Sequence, residues 1–194
     1  MLRARFKGVL DPAGAFLNRI GVVPNTMTLL GLLGNIVAAI LISRGLLVWG
    51  GVVVLLMGPI DALDGTMARL RGQPTRFGGV LDSVVDRYSE LIILAGLLVY
   101  YLQQAEWLPI ILVYLAAAGS VLVSYVKARA EAANYKISGG LLTRVERYLV
   151  LVPCLLLSRP EIALWVLALL ANFTALQRLW MVYRQADSQN DILR

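Results

Sequence analysis

The sequence predicts an all-α integral membrane protein with six transmembrane helices and an N-terminal interfacial amphipathic helix. Hydrophobic residues make up 59% of the 194 residues, and the mean hydropathy of +0.73 is too high for a soluble domain of this size. Several apolar stretches approach the ~20 residues that a helix needs to cross a ~30 Å hydrocarbon core. Basic residues collect at alternate ends of these stretches, which is typical of transmembrane topology.

The apolar stretches occupy almost the whole chain and leave no room for a separate soluble domain. We expect one membrane domain over residues 1–194, made of an interfacial helix at 1–21, a six-helix core at 22–184 and a polar tail at 185–194. The six spans are predicted at residues 26–43, 46–69, 79–102, 107–130, 142–158 and 161–183.

The first 21 residues are basic and amphipathic rather than continuously apolar. They lack the long apolar region and the small-residue cleavage site of a secretory signal. Asp11-Pro12 is a favourable helix start, and Gly21 is a favourable stop. We therefore expect this segment to form a helix that lies in the membrane surface.

The net charge of +6 is unevenly distributed along the chain. Basic residues precede the first span, separate the second from the third, surround the fourth-to-fifth connection and follow the sixth. Only Arg44 and Arg159 fall at the opposite ends of spans. The positive-inside rule predicts a multi-pass protein of the cell (inner) membrane, with both termini and the active site facing the cytoplasm. Topology explains these charges without nucleic-acid binding.

Histidine is absent and Cys154 is the only cysteine. This composition excludes a disulfide framework, a zinc site and a Cys/His nucleophile within one chain. Any proton transfer therefore has to use Asp, Glu, Lys, Tyr or a metal-bound group.

Four aspartates lie inside this apolar chain, in two pairs spaced i, i+3 and i, i+4: Asp61, Asp64, Asp82 and Asp86. Carboxylates in membrane helices are costly and are usually functional. Four of them facing one cavity cannot all stay ionised without a compensating charge. Hard oxygen ligands suit Mg²⁺, Mn²⁺ or Ca²⁺. We predict one or two divalent ions that could hold a substrate's diphosphate, with Arg69 and Arg76 binding further phosphate oxygens.

These residues resemble the signature of the CDP-alcohol phosphatidyltransferases, D-x-x-D-G-x-x-A-R-x8-G-x3-D-x3-D. Every position of it is met, by Asp61, Asp64, Gly65, Ala68, Arg69, Gly78, Asp82 and Asp86. The resemblance implies an enzyme in which a CDP-linked lipid, usually CDP-diacylglycerol, donates its phosphatidyl group to an alcohol in the bilayer and CMP leaves.

The resemblance also implies roles for individual residues. Asp61, Asp64 and Asp82 would bind two Mg²⁺ or Mn²⁺ ions. Asp86 would bind metal too and would be the base that takes the proton from the attacking hydroxyl. The residues that match CDP-lipid contacts in similar proteins are Asn25, Thr26, Met27, Thr28, Asp61, Gly65, Arg69, Thr75 and Gly78.

The signature does not encode the acceptor alcohol. The run from Ser124 to Glu131, with residues 144–147 and 177–179, resembles the bacterial phosphatidylinositol phosphate synthases, whose acceptor is inositol 1-phosphate. That resemblance implies a phosphate-binding set of Ser124, Lys127, Arg147 and Arg178. Several cations beside an anionic metal site also favour an acceptor that is itself anionic.

Two alternative functions remain open at this point. Phosphatidylglycerophosphate synthase, with glycerol 3-phosphate as acceptor, needs phosphate-binding cations as well, and an ether-lipid donor would leave little trace in the sequence. A divalent-cation transporter would also carry intramembrane carboxylates. However, no polar residues continue such a path through residues 46–58 or 91–102, which favours a one-sided catalytic cavity.

Small residues in the first span predict close helix packing, because Gly31, Gly34 and Ala38 share one helical face. Together with the family resemblance, such residues also suggest a homodimer.

Overall fold

The computed structural model describes residues 2–72, 75–137 and 139–188, and the described residues form helices without any strand. Seven helices lie within these ranges: α1 (Leu2–Arg19), α2 (Pro24–Ser43), α3 (Leu47–Leu70), α4 (Arg76–Gln103), α5 (Trp107–Ala132), α6 (Arg144–Leu156) and α7 (Pro160–Ser188). The all-α prediction is confirmed, and each predicted span corresponds to one of the helices α2 to α7.

Four of these helices are long and apolar enough to cross a membrane by length and composition, namely α2, α3, α5 and α7. The other two differ from the prediction for different reasons. Helix α4 has 28 residues, but its first half carries charged side chains. Helix α6 has only 13 residues, which is about 20 Å of helix, less than the ~30 Å core. Membrane-spanning helices are therefore supported, whereas the count of six is not confirmed.

Helix ends differ from the predicted bounds by a few residues. Helix α2 begins at Pro24 rather than at residue 26, because proline occupies the first turn after the extended N-cap Val23. Helix α7 continues to Ser188, so residues 185–188 are helical rather than part of a polar tail. The rest of that predicted tail, residues 189–194, lies outside the described residues.

The chain divides into two compact units, Met1–Leu97 and Leu98–Arg194, with the boundary inside α4. In the first unit, α2 and α1 both pack against α3. The predicted small-residue face of α2 is used in this way, because Gly34 contacts Met57 and the fully buried Ala38 lies against Gly50. In the second unit, α7 packs against α5 and α6.

Polar contacts tie the predicted interfacial helix α1 to the end of α3. The Asn18 side-chain amide donates to the Met67 carbonyl oxygen at 3.1 Å. The Arg71 guanidinium donates to Asn18 Oδ1 at 2.7 Å and to the Val22 carbonyl oxygen at 2.6 Å. Helix α1 and the residues after it are therefore held against the helix that carries two of the predicted site aspartates.

In the second unit, α5 approaches α7 most closely at Gly119. A Cβ atom at this position would lie 2.9 Å from both the Ala171 Cβ and the Asn172 backbone nitrogen. The Asn172 side chain also joins the two helices, because its amide donates to the Leu115 carbonyl oxygen at 2.9 Å. A side chain at position 119 would force these helices apart.

We expect Gly119→Ala to lower the thermal unfolding temperature in detergent, because overpacking a close helix contact typically costs about 1–3 kcal/mol. The matched control is Gly79→Ala in α4, where an added Cβ meets no atom within 4 Å. The control should be neutral or slightly stabilising, since alanine is the better helix former. Equal melting temperatures for both variants and the parent protein would contradict the close contact.

Candidate functional site

The first unit brings together carboxylates from two consecutive helices. Asp61 and Asp64 lie in the last turns of α3, and Asp82 lies in the second turn of α4. The connection between these helices is short and turns at Gly72, whose φ of +67° suits glycine. Asp61, Asp64 and Asp82 each offer one carboxylate oxygen, and these oxygens all lie within 4.8 Å of one another.

Asp64 is the most constrained member of this cluster. It is buried, with 7% of its surface exposed. The Thr28 hydroxyl of α2 donates to Asp64 Oδ2 at 2.6 Å, and the Gly65 backbone N–H donates to Asp64 Oδ1. Both carboxylate oxygens therefore accept a hydrogen bond. The carboxylate is held in one orientation by a neighbouring helix and by its own backbone.

The geometry and chemistry of the cluster fit a hard divalent cation. All three side chains are carboxylates, which are the ligands that Mg²⁺, Mn²⁺ and Ca²⁺ prefer. Two oxygens on opposite sides of one ion are separated by twice the metal–oxygen bond, roughly 4.2 Å for Mg²⁺ and about 5 Å for Ca²⁺. Oxygens within 4.8 Å of one another are therefore within reach of a shared ion.

The fourth predicted ligand, Asp86, is not part of this close group. It lies one turn after Asp82 on α4 and is buried, with 8% of its surface exposed. Its Oδ2 is 3.7 Å from Arg87 Nη1, so the two neighbours form an ion pair. Metal ligation and proton transfer by Asp86 stay predictions.

Three of the predicted CDP-lipid contacts lie together at the start of α4. The Gly78 backbone N–H donates to Thr75 Oγ1 at 3.0 Å. A Cβ atom at Gly78 would lie 2.9 Å from Thr75 Oγ1 and 3.4 Å from Asn25 Oδ1. Glycine at this position therefore leaves space between two polar side chains from different parts of the chain.

Arg69 is positioned by Thr66, which is not among the site residues predicted from the sequence. Its Nη2 donates to Thr66 Oγ1 at 2.9 Å, and its Nη1 lies 3.4 Å from the position that a Cβ of Gly65 would occupy. The guanidinium of this exposed residue therefore folds back along α3 toward the aspartates. The i, i+3 spacing of Thr66 and Arg69 was the available signal.

The remaining predicted contacts in the run at the start of α2 differ in burial. Thr28 contacts Asp64, Met27 lies in the core and Thr26 is exposed. Direct contact of these three residues with a CDP-lipid stays a prediction.

In the second unit, two of the predicted acceptor-binding residues are buried arginines. Arg178 of α7 donates through Nε and Nη2 to the Gly139 carbonyl oxygen at 3.1 and 3.0 Å, and through Nη1 to the Val123 carbonyl oxygen at 2.7 Å. Arg147 of α6 donates through Nη1 to the Leu142 carbonyl oxygen at 3.2 Å. Both guanidinium groups are thus anchored to backbone carbonyls at or beside the loop between α5 and α6.

The other two predicted acceptor residues lie on α5. The Ser124 hydroxyl donates to the Ser120 carbonyl oxygen at 3.3 Å. Lys127 is about half exposed, and its Nζ is 3.7 Å from Glu131 Oε1. Arg178 of α7 donates to the carbonyl oxygen of Val123, the residue before Ser124, so this hydrogen bond joins α5 to α7. Lys127 lies at the surface with an acidic neighbour.

The sequence is similar to a known protein family and to several of its characterised members. The sequence profile of the CDP-alcohol phosphatidyltransferase family matches residues 21–180. A phosphatidylinositol phosphate synthase of Mycobacteroides abscessus is 37% identical over 202 residues, which cover 98% of this chain and 90% of that protein. A phosphatidylinositol phosphate synthase of Streptomyces avermitilis is 36% identical and covers 95% of this chain and 82% of that protein.

Solved structures give the same match. The phosphatidylinositol phosphate synthase of Mycobacterium tuberculosis with CDP-DAG bound is similar with a TM-score of 0.85 at 33% identity, over 90% of this chain and 94% of that one. The same enzyme in complex with manganese and citrate is similar with a TM-score of 0.84 at 34% identity, over 90% and 88%.

Family membership follows from the extent of these matches. The profile covers most of the chain, and the curated relatives align with it almost from end to end. The eight-position aspartate signature lies inside the matched region. This chain belongs to the CDP-alcohol phosphatidyltransferase family.

Proposed function

We propose that this enzyme transfers the phosphatidyl group of CDP-diacylglycerol to inositol 1-phosphate, forming phosphatidylinositol phosphate and releasing CMP. The observation that carries the proposal is the convergence of Asp61, Asp64 and Asp82 within 4.8 Å, in a family member whose relatives are phosphatidylinositol phosphate synthases. Family membership disfavours the cation-transporter alternative, because the family consists of phosphotransferases.

The residues that would hold the cofactor are the three clustered aspartates, with Asp86 one turn further along α4. We propose Mg²⁺ or Mn²⁺, with two ions per site, and the manganese complex of the similar enzyme supports this choice of metals. A bound divalent ion would offset the charge of the diphosphate and stabilise the departing CMP.

The donor's nucleotide end would bind where α2, α3 and α4 supply polar groups. Asn25 and Thr75 flank the space left by Gly78 and offer hydrogen bonds. Arg69, folded back over Gly65, would donate to the remaining phosphate oxygens in a forked arrangement. The bound CDP-DAG in the similar structure supports this ligand class for the chain. The donor's acyl chains would stay in the bilayer, so the site needs a lateral opening to lipid.

Asp86 is the proposed general base. The acceptor hydroxyl oxygen forms a bond to the phosphorus that carries the diacylglycerol, and the bond from that phosphorus to the bridging oxygen of CMP breaks. Asp86 takes the hydroxyl proton, and CMP leaves with the electron pair of the broken bond. The ion pair with Arg87 would stabilise the carboxylate form that this role requires.

The acceptor's phosphate would be bound by Ser124, Lys127, Arg147 and Arg178. Burying the two guanidinium groups of Arg147 and Arg178 costs free energy. Binding a dianionic phosphate would explain why they are buried, whereas membrane topology would not. Glycerol 3-phosphate carries the same phosphate, so phosphatidylglycerophosphate synthesis is the competing assignment. The relatives named above favour inositol 1-phosphate.

We propose that the chain is one functional membrane domain with six spans and with α1 at the membrane surface. The unit boundary falls inside the continuous helix α4, and the family profile extends across it. If α2 to α7 each cross the bilayer, the basic residues of the α3–α4 and α5–α6 connections share one side. The positive-inside rule makes that side cytoplasmic in the cell (inner) membrane. We also propose a homodimer, on the family resemblance alone, because the small residues of α2 pack against α3 of the same chain.

The direct test uses purified enzyme, labelled CDP-diacylglycerol and each candidate alcohol in turn: inositol 1-phosphate, glycerol 3-phosphate, free inositol and serine. Analysis of the lipid product identifies the acceptor, whereas CMP release alone identifies only the reaction class. We expect label in phosphatidylinositol phosphate. A labelled product formed only with glycerol 3-phosphate would replace this assignment with the competing one. An ether-linked donor run in parallel tests the lipid type.

We expect Asp86→Asn to reduce turnover by about 10²- to 10⁴-fold, since that is the usual contribution of a general base. Binding of Mn²⁺ and of CDP-diacylglycerol should be largely retained, as measured by equilibrium binding in detergent. The contrast is Asp64→Asn, which should lose Mn²⁺ binding together with turnover. Equal losses of binding and turnover in Asp86→Asn would argue against Asp86 as the base.

We expect Thr28→Val to weaken Mn²⁺ binding by about ten- to 150-fold, because hydrogen bonds to charged groups contribute about 1.5–3 kcal/mol. The variant removes the hydroxyl that orients Asp64 and keeps the side-chain shape. Thr28→Ser keeps the hydroxyl and should bind Mn²⁺ like the parent protein. Chelation by EDTA should abolish turnover in all three, and added Mg²⁺ or Mn²⁺ should restore it. Unchanged Mn²⁺ affinity in Thr28→Val would show that Asp64 needs no such support.

We expect Lys127→Ala to raise the KM for the acceptor by about tenfold and to leave the KM for CDP-diacylglycerol within twofold. The matched control is Arg129→Ala, which removes another exposed cation from the same helix and should leave both constants unchanged. Steady-state kinetics with each substrate varied in turn provides the measurement. An acceptor KM that responds equally to both substitutions would indicate a general charge effect rather than a binding contact.

A further inference from the structure

The loop between α5 and α6, residues 133–143, has no regular secondary structure in its described part, yet its backbone is hydrogen-bonded to side chains of α7. The Leu142 N–H donates to Thr174 Oγ1 at 3.1 Å, and the Leu141 N–H donates to Gln177 Oε1 at 3.2 Å. The Gly139 carbonyl oxygen accepts from Arg178 Nε at 3.1 Å. Side chains of one helix thus take the place of a hydrogen-bonding strand.

The far end of this loop is bound in the same way. The Lys136 N–H donates to Gln185 Oε1 at 3.1 Å, and Gln185 Nε2 donates to the Lys136 carbonyl oxygen at 2.7 Å. One glutamine side chain therefore satisfies both backbone groups of one residue. Both bonds lie at the protein surface, where they take the place of those that secondary structure would supply.

The contacts are ordered along the helix. Loop residue 142 contacts residue 174 of α7, 141 contacts 177, 139 contacts 178 and 136 contacts 185. The loop therefore runs antiparallel to the helix. Positions 174, 178 and 185 are spaced i, i+4 and i+11 and share one face of α7, with 177 beside them. The stripe spans about 16 Å at 1.5 Å per residue.

Glycine makes the close approach of the loop possible. Gly140 has a φ of +136°, and a Cβ atom there would lie 2.9 Å from Thr174 Cγ2 and 3.0 Å from Arg178 Nε. A residue with a side chain would be strained and would also push the loop away from the stripe. The register of the loop on α7 is therefore set by both backbone conformation and hydrogen bonding.

The loop in turn holds both buried arginines of the acceptor set. Arg178 donates to Gly139 within the loop, and Arg147 donates to Leu142 at its end. Arg147 also lies in the first turn of α6, where its backbone N–H donates to the carbonyl oxygen of the N-cap Thr143 at 3.1 Å. A shift of the loop along α7 would therefore move the start of α6 and the surroundings of both guanidinium groups.

We propose that Gln177 and Gln185 are positioning residues for the acceptor: by fixing the loop on α7 they hold Arg147 and Arg178 in the geometry that binds the acceptor's phosphate. The inference deepens the proposed function and rests on it for the identity of the ligand. Neither glutamine belongs to the predicted acceptor set. Their effect on acceptor binding passes through the loop backbone.

The experiment compares Gln177→Ala and Gln185→Ala with Gln103→Ala, the same change at an exposed residue at the end of α4. Hydrogen exchange followed by mass spectrometry, on full-length protein in detergent, reports the loop amides. Steady-state kinetics reports the KM for inositol 1-phosphate and for CDP-diacylglycerol. Net hydrogen-bond contributions of about 0.5–1.5 kcal/mol correspond to about two- to tenfold changes per bond.

We expect faster exchange of peptides covering residues 136–142 in Gln177→Ala and Gln185→Ala, and an acceptor KM raised by about tenfold in the double variant. The donor KM and the kcat at saturating acceptor should stay within twofold, and Gln103→Ala should match the parent protein. A general loss of folding would change the donor KM and kcat as well, so this split distinguishes positioning from stability.

Two results would overturn the inference, and they differ from a failure of the proposed function. Unchanged hydrogen exchange of the loop in both variants would show that the glutamines do not fix the loop on α7, whatever the substrate is. Faster exchange with an unchanged acceptor KM would show that they fix the loop but do not affect acceptor binding. If the parent enzyme transferred no label to any phosphorylated alcohol, the proposed function itself would fail, and the acceptor role of the glutamines with it.

Discussion

The structure depends on holding three carboxylates close together inside a largely apolar chain. At an effective dielectric constant of about 20, two unit charges 4.8 Å apart repel by about 3.5 kcal/mol. The two hydrogen bonds on Asp64 hold that carboxylate in place but do not remove its charge. A divalent cation bound between the three carboxylates would offset their repulsion, so the cluster is consistent with a metal-dependent enzyme.

That constraint explains much of the first unit. Helix α2 supplies Thr28 to Asp64, so the packing of α2 on α3 is also the support of the acidic cluster. Small residues make this approach possible: a Cβ at Gly50 would lie 3.1 Å from the Ala38 carbonyl oxygen. Helix α1 is fastened to the end of α3 through Asn18 and Arg71. The helices around the aspartates therefore act as supports for charged groups rather than as a simple apolar core.

Much of this arrangement could be predicted from the sequence, because helices and signatures are local. Apolar stretches of span length located six of the seven helices in the described part of the chain within a few residues, and the eight-position signature identified the family. The count of membrane spans could not be decided in this way. Hydropathy is averaged over a window of residues. The charges in the first half of α4 and the shortness of α6 lower this average, but a low average does not decide whether either helix crosses the bilayer.

Fewer contacts of the second unit could be predicted from the sequence, for a physical reason. Spacing reveals residues that share one helix, such as the i, i+4 pair Lys127 and Glu131, which form an ion pair. It cannot reveal which loop amide meets which side chain fifty residues later, because Gln185 and Lys136 are brought together only by tertiary packing. Thr28 was predicted as a lipid contact, but its hydrogen bond to Asp64 could not be predicted, because tertiary packing alone brings α2 and α3 together.

The two units thus use different means to hold charge in an apolar environment. In the first, acidic groups lie close together, where a bound cation would offset their repulsion. In the second, Arg147 and Arg178 are buried, and each donates to backbone carbonyl oxygens. These hydrogen bonds fix the positions of both guanidinium groups. If the two groups bind the acceptor, they would meet its phosphate in a defined geometry, which favours a phosphorylated alcohol over an uncharged one.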